Sequence, residues 1–185
     1  RDGSSAFNED TRYGNFAAAS AGWIVSEENF IKSVSLVSLL KLRGSFGQVG
    51  NESIPDNTGV ITYNGTRRLS PNATTGTNPT SLAATALTWE TTNSLDAGLD
   101  FGLFKNRISG TVEYFNRKVT DLLLQVPLPP STGVGGTPNI WGNVGDMRNS
   151  GWEFSLSTVN YNKNSFRWNT NFNITTVENK VLKLT

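Results

Sequence analysis

Residues 95–114, LDAGLDFGLFKNRISGTVEY, constrain the fold of this 185-residue chain more than any other stretch. In the first half apolar residues alternate with small or acidic ones, and this period of two predicts a β-strand rather than a helix. If Lys105-Asn106 forms a two-residue hairpin turn, the second half returns as an antiparallel strand with its apolar residues on the same face. The predicted pairs are Leu103 with Ile108, Phe101 with Gly110, Leu99 with Val112, and Ala97 with Tyr114. Phe101 would then cover a bare glycine, a device of curved sheets.

The same alternation predicts about six strands, and therefore an all-β antiparallel fold. Besides the hairpin formed by residues 89–104 and 107–124, strands are predicted for residues 15–25, 36–46, 151–158 and 166–174. The aromatic residues of the last two strands share a face only if their hairpin contains an irregularity. Either a three-residue loop at Asn162-Lys163-Asn164 or a bulge between Val159 and Tyr161 satisfies this requirement.

The connections alternate between long and short, which is typical of an up-and-down transmembrane barrel. Residues 47–88 and 126–149 form long loops rich in Gly, Pro, Asn and Thr, whereas the other connections are short. The most regular strands have nine residues, close to the roughly 9 to 11 that a tilted strand needs to cross a bilayer. A β-sandwich produces the same alternation, so the pattern alone leaves both architectures open.

Three features favour the barrel. The polar face of the predicted strands is rich in Asn, Ser, Thr, Gly and acidic groups, as a water-filled lumen requires. Trp89 and Trp152 fall at the long-loop ends of their strands, whereas Trp23 and Trp168 lie toward the short-turn ends, as in two interfacial girdles. The loops are also longer than a sandwich of this size usually carries.

Composition excludes several kinds of site. The chain contains no cysteine and no histidine, so disulfides, Cys/His zinc sites and histidine-based triads are ruled out. The net charge is +1, and without a basic cluster we expect no binding to nucleic acid. No run approaches the length of a membrane-spanning helix, and no motif predicts a metal or a cofactor.

Polar residues on the inner face are the first candidates for a functional site. They are Arg43, Asp96, Asp100, Glu113, Arg167, Asn169 and Asn171. In the predicted register Asp100 and Glu113 are diagonal neighbours, about 7 to 8 Å apart, a separation that would suit an inverting glycosidase. The favoured interpretation is that they are solvated carboxylates, because two acids without a shaped pocket are common. They could also pair with Arg43 or Arg167.

Two aromatic residues in the long loops, Tyr63 and Trp141, are the second candidates. Either ring could stack on a sugar or a peptide. Each could equally anchor the packing of its own loop.

Several segments in the same order carry a family resemblance. They are RDGSSAFNEDTRYGNFAAASAGW, LLKLRGSFGQVGNE, TWETTNSLDAGLDFGLFKNRISGTVEYFNRKVTDLLLQVPLP, NVGDMRNSGWEFSLS and FRWNTNFNITTVENKVLKL. The chain thereby resembles the barrel region of SusC/RagA-type TonB-dependent outer-membrane receptors of Bacteroidetes. The resemblance implies a barrel of about 22 strands with a plugged lumen. Residues 1–185 would be an internal part of that barrel, with the plug domain, the TonB-contacting segment and the closing strands lying outside this sequence.

The resemblance also implies a function in the bacterial outer membrane. Such receptors import large nutrients such as oligosaccharides or peptides, with a SusD-like surface lipoprotein as lid and TonB as the energy source. No enzymatic role is expected. Two other hypotheses remain open on the residues alone: a secreted β-sandwich that binds carbohydrate through loop aromatics, and a hydrolase that uses Asp100 and Glu113.

Overall fold

A computed structural model describes residues 1–55, 58–59, 61–67, 76–134 and 138–184. The strands in chain order are β1 (Asp2–Gly3), β2 (Tyr13–Gly14), β3 (Ala18–Ile24), β4 (Val37–Asn51), β5 (Tyr63–Arg67), β6 (Gly76–Pro79), β7 (Glu90–Leu103), β8 (Ile108–Thr120), β9 (Leu123–Pro127), β10 (Asn139–Asn143), β11 (Asp146–Lys163) and β12 (Phe166–Lys183). The helices are a 3-10 turn at Val25–Glu27, a single α-turn, α1, at Asn29–Lys32, and a second 3-10 turn at Pro130–Thr132. No helix in the described ranges is long and apolar enough to cross a membrane.

Six of these strands form one antiparallel sheet in the order β12-β11-β8-β7-β4-β3. Each strand lies beside the next long strand in the sequence, which is the up-and-down arrangement that the alternating connections predict. The predicted all-β, six-stranded antiparallel fold is therefore confirmed. Strands β4, β11 and β12 run further than predicted, and the last two have 18 residues each, whereas β3, β7 and β8 are shorter than predicted.

The central hairpin has the predicted register. Leu103 pairs with Ile108, Phe101 with Gly110, Leu99 with Val112, and Ala97 with Tyr114. At the turn, the Arg107 amide donates to the Phe104 carbonyl at 3.3 Å, and Lys105 and Asn106 have φ values of 57° and 61°. Phe104 also has a positive φ, 54°. The connection between the strands is therefore residues 104–107, two residues longer than the predicted turn, while the register is as predicted.

The last hairpin contains the bulge that the aromatic pattern requires. The register shifts between Val159 and Tyr161, and the hairpin closes on the pair of Lys163 with Phe166. Arg107 secures this irregularity from the neighbouring turn, because its guanidinium donates to the carbonyls of Val159 and Asn160 at 3.0 to 3.3 Å. The prediction of a bulge is therefore confirmed, and the alternative prediction of a three-residue loop is wrong.

The register gives the sheet one apolar and one polar face. A representative apolar row across the sheet is Trp23, Leu42, Leu99, Val112, Phe154 and Ile174. The adjacent row on the other face contains Lys41, Asp100, Thr111, Ser155 and Asn173. We refer to these as the apolar face and the polar face.

The apolar face has no second layer packed on it within the described residues. Leu42, Phe172 and Trp168 expose 44%, 48% and 57% of their surface. In a β-sandwich these side chains would interdigitate with an opposing sheet and be buried. The sandwich architecture is therefore not favoured.

The buried apolar core lies in the loops rather than on the sheet. Phe7, Ala84, Leu87 and Leu123 are only 4% to 8% exposed and form one cluster, against which Trp89 packs. The rings of Phe7 and Trp89 have centroids 5.3 Å apart, and the Trp89 indole donates to the Arg12 carbonyl. The interpretation of Trp89 as part of an interfacial girdle is not supported, since its ring packs, partly buried, against the loop cluster. Trp23, Trp152 and Trp168 lie on the apolar face and are exposed.

The two long loops contain more structure than predicted. Strand β4 continues to Asn51, and β5 pairs with β6 inside the first loop. Strand β9 pairs with β10 inside the second. Part of the predicted first loop, residues 56, 57, 60 and 68–75, lies outside the described residues, as do residues 135–137 of the second.

Two glycines let strands approach beneath aromatic rings. A Cβ atom on Gly110 would lie 2.9 Å from the Phe101 ring and would also collide with the Ser155 carbonyl. A Cβ atom on Gly151 would lie 2.8 Å from the Phe115 ring. The predicted cover of Gly110 by Phe101 is confirmed. By contrast, a Cβ atom on Gly44 would have its nearest contact at 3.8 Å.

We expect Gly110→Ala to lower the free energy of unfolding by about 1 to 3 kcal/mol, the usual cost of overpacking. Gly44→Ala is the matched control, because its methyl group meets only ordinary van der Waals distances. Chemical denaturation followed by tryptophan fluorescence measures both. Equal stability of the two variants would contradict the close approach at Gly110.

Candidate functional site

An ion-paired cluster occupies the middle of the polar face. Arg43 on β4 donates through Nη2 to Glu113 Oε2 on β8 at 2.6 Å and through Nε to Asp100 Oδ1 on β7 at 3.4 Å. The three side chains are 34%, 24% and 21% exposed, respectively. One guanidinium thus spans three strands and neutralises part of the charge of two carboxylates.

Gly98 makes this span possible. Arg43 pairs with Gly98, and Gly98 pairs with Glu113, so the three residues form one row across the sheet. A Cβ atom on Gly98 would lie 2.7 Å from Arg43 Cζ. The guanidinium therefore lies directly over the bare backbone of β7, and any larger residue would have to displace it.

The cluster is a poor acid-base pair. General acid catalysis in a glycosidase needs one carboxyl group whose proton is retained near neutral pH. Arg43 donates to both Asp100 and Glu113, so both carboxylates are engaged by the same guanidinium. The expectation that Arg43 pairs with these acids agrees with the contacts, and the geometry does not favour the hydrolase hypothesis.

The other candidates on the polar face do not join the cluster. Asp96 accepts a long hydrogen bond from Ser45 at 3.4 Å. Arg167, Asn169 and Asn171 lie on β12, the outer strand of the sheet, where they pair with Asn162, Val159 and Ser157. Their side chains are exposed, and the described residues give Arg167 no ion pair with an acid.

Three neighbours of the cluster were not among the candidate residues predicted from the sequence. Gly98 lies beneath Arg43, Lys41 is in register with Asp100, and Glu153 is directly opposite Glu113. The pairing of β7 with β8 could have identified Gly98 as the partner of Glu113. The pairing of β4 with β7 carried no comparable signal, because a long loop separates those strands.

The second candidate site is a cleft between the two long loops. It is lined by Pro55, Thr58, Thr62, Ser81, Leu82, Asn139, Ile140 and Trp141. Trp141 lies on β10 and also packs against the buried loop cluster, so its ring both supports the loops and lines the cleft. Tyr63, next to Thr62, is 60% exposed and is paired through its backbone with Pro79.

Asn143 joins the loops that form this cleft. Its side chain accepts from the Thr88 amide at 2.8 Å and donates to the Thr88 carbonyl at 2.9 Å. It also donates to the Asp121 carbonyl at 2.8 Å. A single amide therefore connects the end of the first long loop to the start of the second.

Comparison with known proteins gives consistent matches over the whole chain. A family model described as TonB dependent receptor-like, beta-barrel matches residues 1–182. TonB-dependent receptor P39 of Formosa agariphila is 41% identical over 184 residues, which cover 100% of this chain and 17% of that protein. TonB-dependent receptor SusC of Bacteroides thetaiotaomicron is 35% identical over 189 residues, covering 100% of this chain and 19% of that protein.

Solved structures agree with the sequence matches. The RagAB peptide transporter superimposes with a TM-score of 0.83 at 26% identity, covering 97% of this chain and 19% of that one. The RagAB peptide importer in its closed-closed state gives a TM-score of 0.85 at 26% identity, covering 98% and 20%. This chain thus spans about a fifth of the length of these relatives. The predicted resemblance is confirmed, and the chain belongs to the TonB dependent receptor-like, beta-barrel family.

Proposed function

We propose that this chain forms part of the wall of an outer-membrane, TonB-dependent transporter that imports large nutrients such as oligosaccharides or peptides. The relatives are receptors and transporters by name, and TonB-dependent receptors of this type are outer-membrane proteins. The chain has a structural role in import and no catalytic one.

The observation that carries the proposal is the exposed apolar face of a single sheet. Exposed leucine, phenylalanine and tryptophan side chains follow adjacent strands on this face. Such a surface is stable when acyl chains rather than water cover it. The opposite face, with the Arg43 cluster, would line a water-filled lumen.

The open edges of the sheet support its place in a larger barrel. Strands β3 and β12 each pair on one side only, and unpaired backbone groups in hydrocarbon cost several kcal/mol each. The hairpin ends are also staggered: Leu103 pairs with Val37 at the start of β4, whereas Ile24 pairs with Lys41, several positions later in the same strand. Such stagger is the shear that a closed barrel requires. Residues 1–185 would then be a partial barrel domain, with the plug domain and closing strands contributed by sequence outside it.

The loops give the orientation and the partners. Outer-membrane barrels place short turns in the periplasm and long loops outside the cell. The loop cleft lined by Trp141, and the exposed Tyr63 next to it, would therefore face the medium and contact the arriving solute. A SusD-like lipoprotein would cover this end, and TonB would act through a segment outside this sequence.

Cysteine scanning tests the two faces. The chain contains no native cysteine. In the full-length receptor in membranes, we expect Leu99→Cys and Phe172→Cys to resist a charged maleimide, because acyl chains cover both positions. Asn171→Cys, on the same strand as Phe172 but on the other face, should react readily. Mass spectrometry measures the labelled fraction of each variant over time. Fast labelling of all three positions would contradict the membrane assignment.

Uptake assays test the function itself. Cells carrying the full-length receptor should accumulate labelled oligosaccharide or peptide only when TonB is present. We expect Trp141→Ala and Tyr63→Ala to reduce uptake at limiting solute by about fivefold, since a ring stacked on a ligand contributes roughly 1 kcal/mol. Phe30→Ala, an exposed aromatic at the opposite end of the sheet, is the control. Uptake that is independent of TonB would refute the proposal.

The Arg43 cluster should matter for stability rather than turnover. We expect Arg43→Met to lower the free energy of unfolding by about 1 to 3 kcal/mol, because it leaves two partly buried carboxylates without their donor. Adding Asp100→Asn and Glu113→Gln to this variant should recover part of the loss, since the three residues act as a unit. Denaturant titration measures both, and fully additive losses would argue against a shared cluster.

A further inference from the structure

Three basic residues lie side by side on β8, β11 and β12, which are adjacent strands of the sheet. Arg148 on β11 pairs with Lys118 on β8 and with Lys180 on β12. Residues in register share a face of the sheet, so the three basic groups form one row, which we call the cationic row. Like charges directly opposite one another destabilise a sheet. Such a row therefore needs a compensating anion.

The cationic row lies on the apolar face. Arg148 is four residues from Trp152 along β11, and the two side chains line the same depression together with Tyr114. The rings of Tyr114 and Trp152 pack in a tilted arrangement with centroids 5.1 Å apart, and Trp152 is exposed. An exposed aromatic pair at this level is typical of the boundary between hydrocarbon and headgroups.

The height of the row matches the headgroup layer. Four residues span about 13 Å of strand, which is about 10 Å along the membrane normal for strands tilted by 35° to 45°. The headgroup regions begin where the roughly 30 Å of hydrocarbon ends. If the aromatic pair marks that boundary, the three cations reach the headgroups at the long-loop end.

Arg148 has a side-chain nitrogen that forms no hydrogen bond with the described residues. Its Nε atom is buried and has no hydrogen-bond partner among the described residues. Glu178 also lines this depression, yet in the described ranges no acid forms an ion pair with Lys118, Arg148 or Lys180. An arginine between two lysines suits a phosphate group, which accepts several charge-assisted hydrogen bonds.

We propose that the cationic row binds the phosphate of an anionic lipid in the outer leaflet of the membrane. The inference rests on the proposed membrane orientation and goes beyond the proposed transport. The acyl chains of the same lipid would cover Trp152 and Tyr114, so one molecule would contact both the aromatic pair and the cationic row. A free anion would satisfy only the charges.

The test uses the full-length receptor purified in a neutral detergent. The probes are monophosphorylated lipid A, the same lipid without its phosphate, and inorganic phosphate. We expect wild-type receptor to retain the phosphorylated lipid in native mass spectrometry and to unfold at a higher temperature in its presence. Lys118→Gln/Lys180→Gln should bind this lipid at least about tenfold more weakly. Without lipid the variant should be as stable as wild type or more so, because like charges have been removed.

Lys105→Gln/Lys163→Gln is the matched control, since it removes two exposed charges at the short-turn end. This control should bind the lipid like wild type. The proposal is overturned if Lys118→Gln/Lys180→Gln binds like wild type, if the dephosphorylated lipid binds as tightly, or if inorganic phosphate stabilises the receptor equally well. A receptor that retains the lipid but fails to import would refute the transport function and leave the lipid site supported.

Discussion

Backbone hydrogen bonding is the constraint on which this structure depends. A strand in hydrocarbon has no water to satisfy its amides and carbonyls, so each strand must be paired on both sides. Within the described residues the antiparallel ladder meets this requirement along most of β7 and β8, whereas the outer strands β3 and β12 are paired on one side. The alternation of side chains follows from the same ladder, because a fixed register assigns every residue to one face. The apolar and polar faces, the Arg43 cluster and the two long loops are all positioned by this ladder.

The sequence predicts the parts of the fold that depend on local pairing. The predicted turn at Lys105-Asn106 gives the observed register of β7 and β8, although the connection is four residues long. The parity of the aromatic residues predicted an irregularity in the last hairpin, either a bulge or a three-residue loop, and the structure has the bulge. In both cases a short connection left few possible registers, and the apolar pattern selected among them.

Features formed across long connections could not be predicted in the same way. The partnership of Arg43 with Glu113 depends on the pairing of β4 with β7, which nearly forty residues of loop separate. Trp89 was predicted as a girdle residue because it lies at a strand end, yet its ring packs, partly buried, against Phe7 and the loop cluster. Periodicity reports which face a strand residue occupies, but it does not report which distant loop packs over a strand end.

Asn143 has a consequence for how receptors of this type diversify. Its side-chain amide is hydrogen-bonded to both backbone groups of Thr88 and to the Asp121 carbonyl. A movement of either long loop at this point would therefore break hydrogen bonds to the other. Exchanging the second loop would remove both contacts to Thr88 unless the new loop carried an amide at the same place. Exchanging the first loop would preserve them, because the partners on Thr88 are backbone groups that any residue supplies.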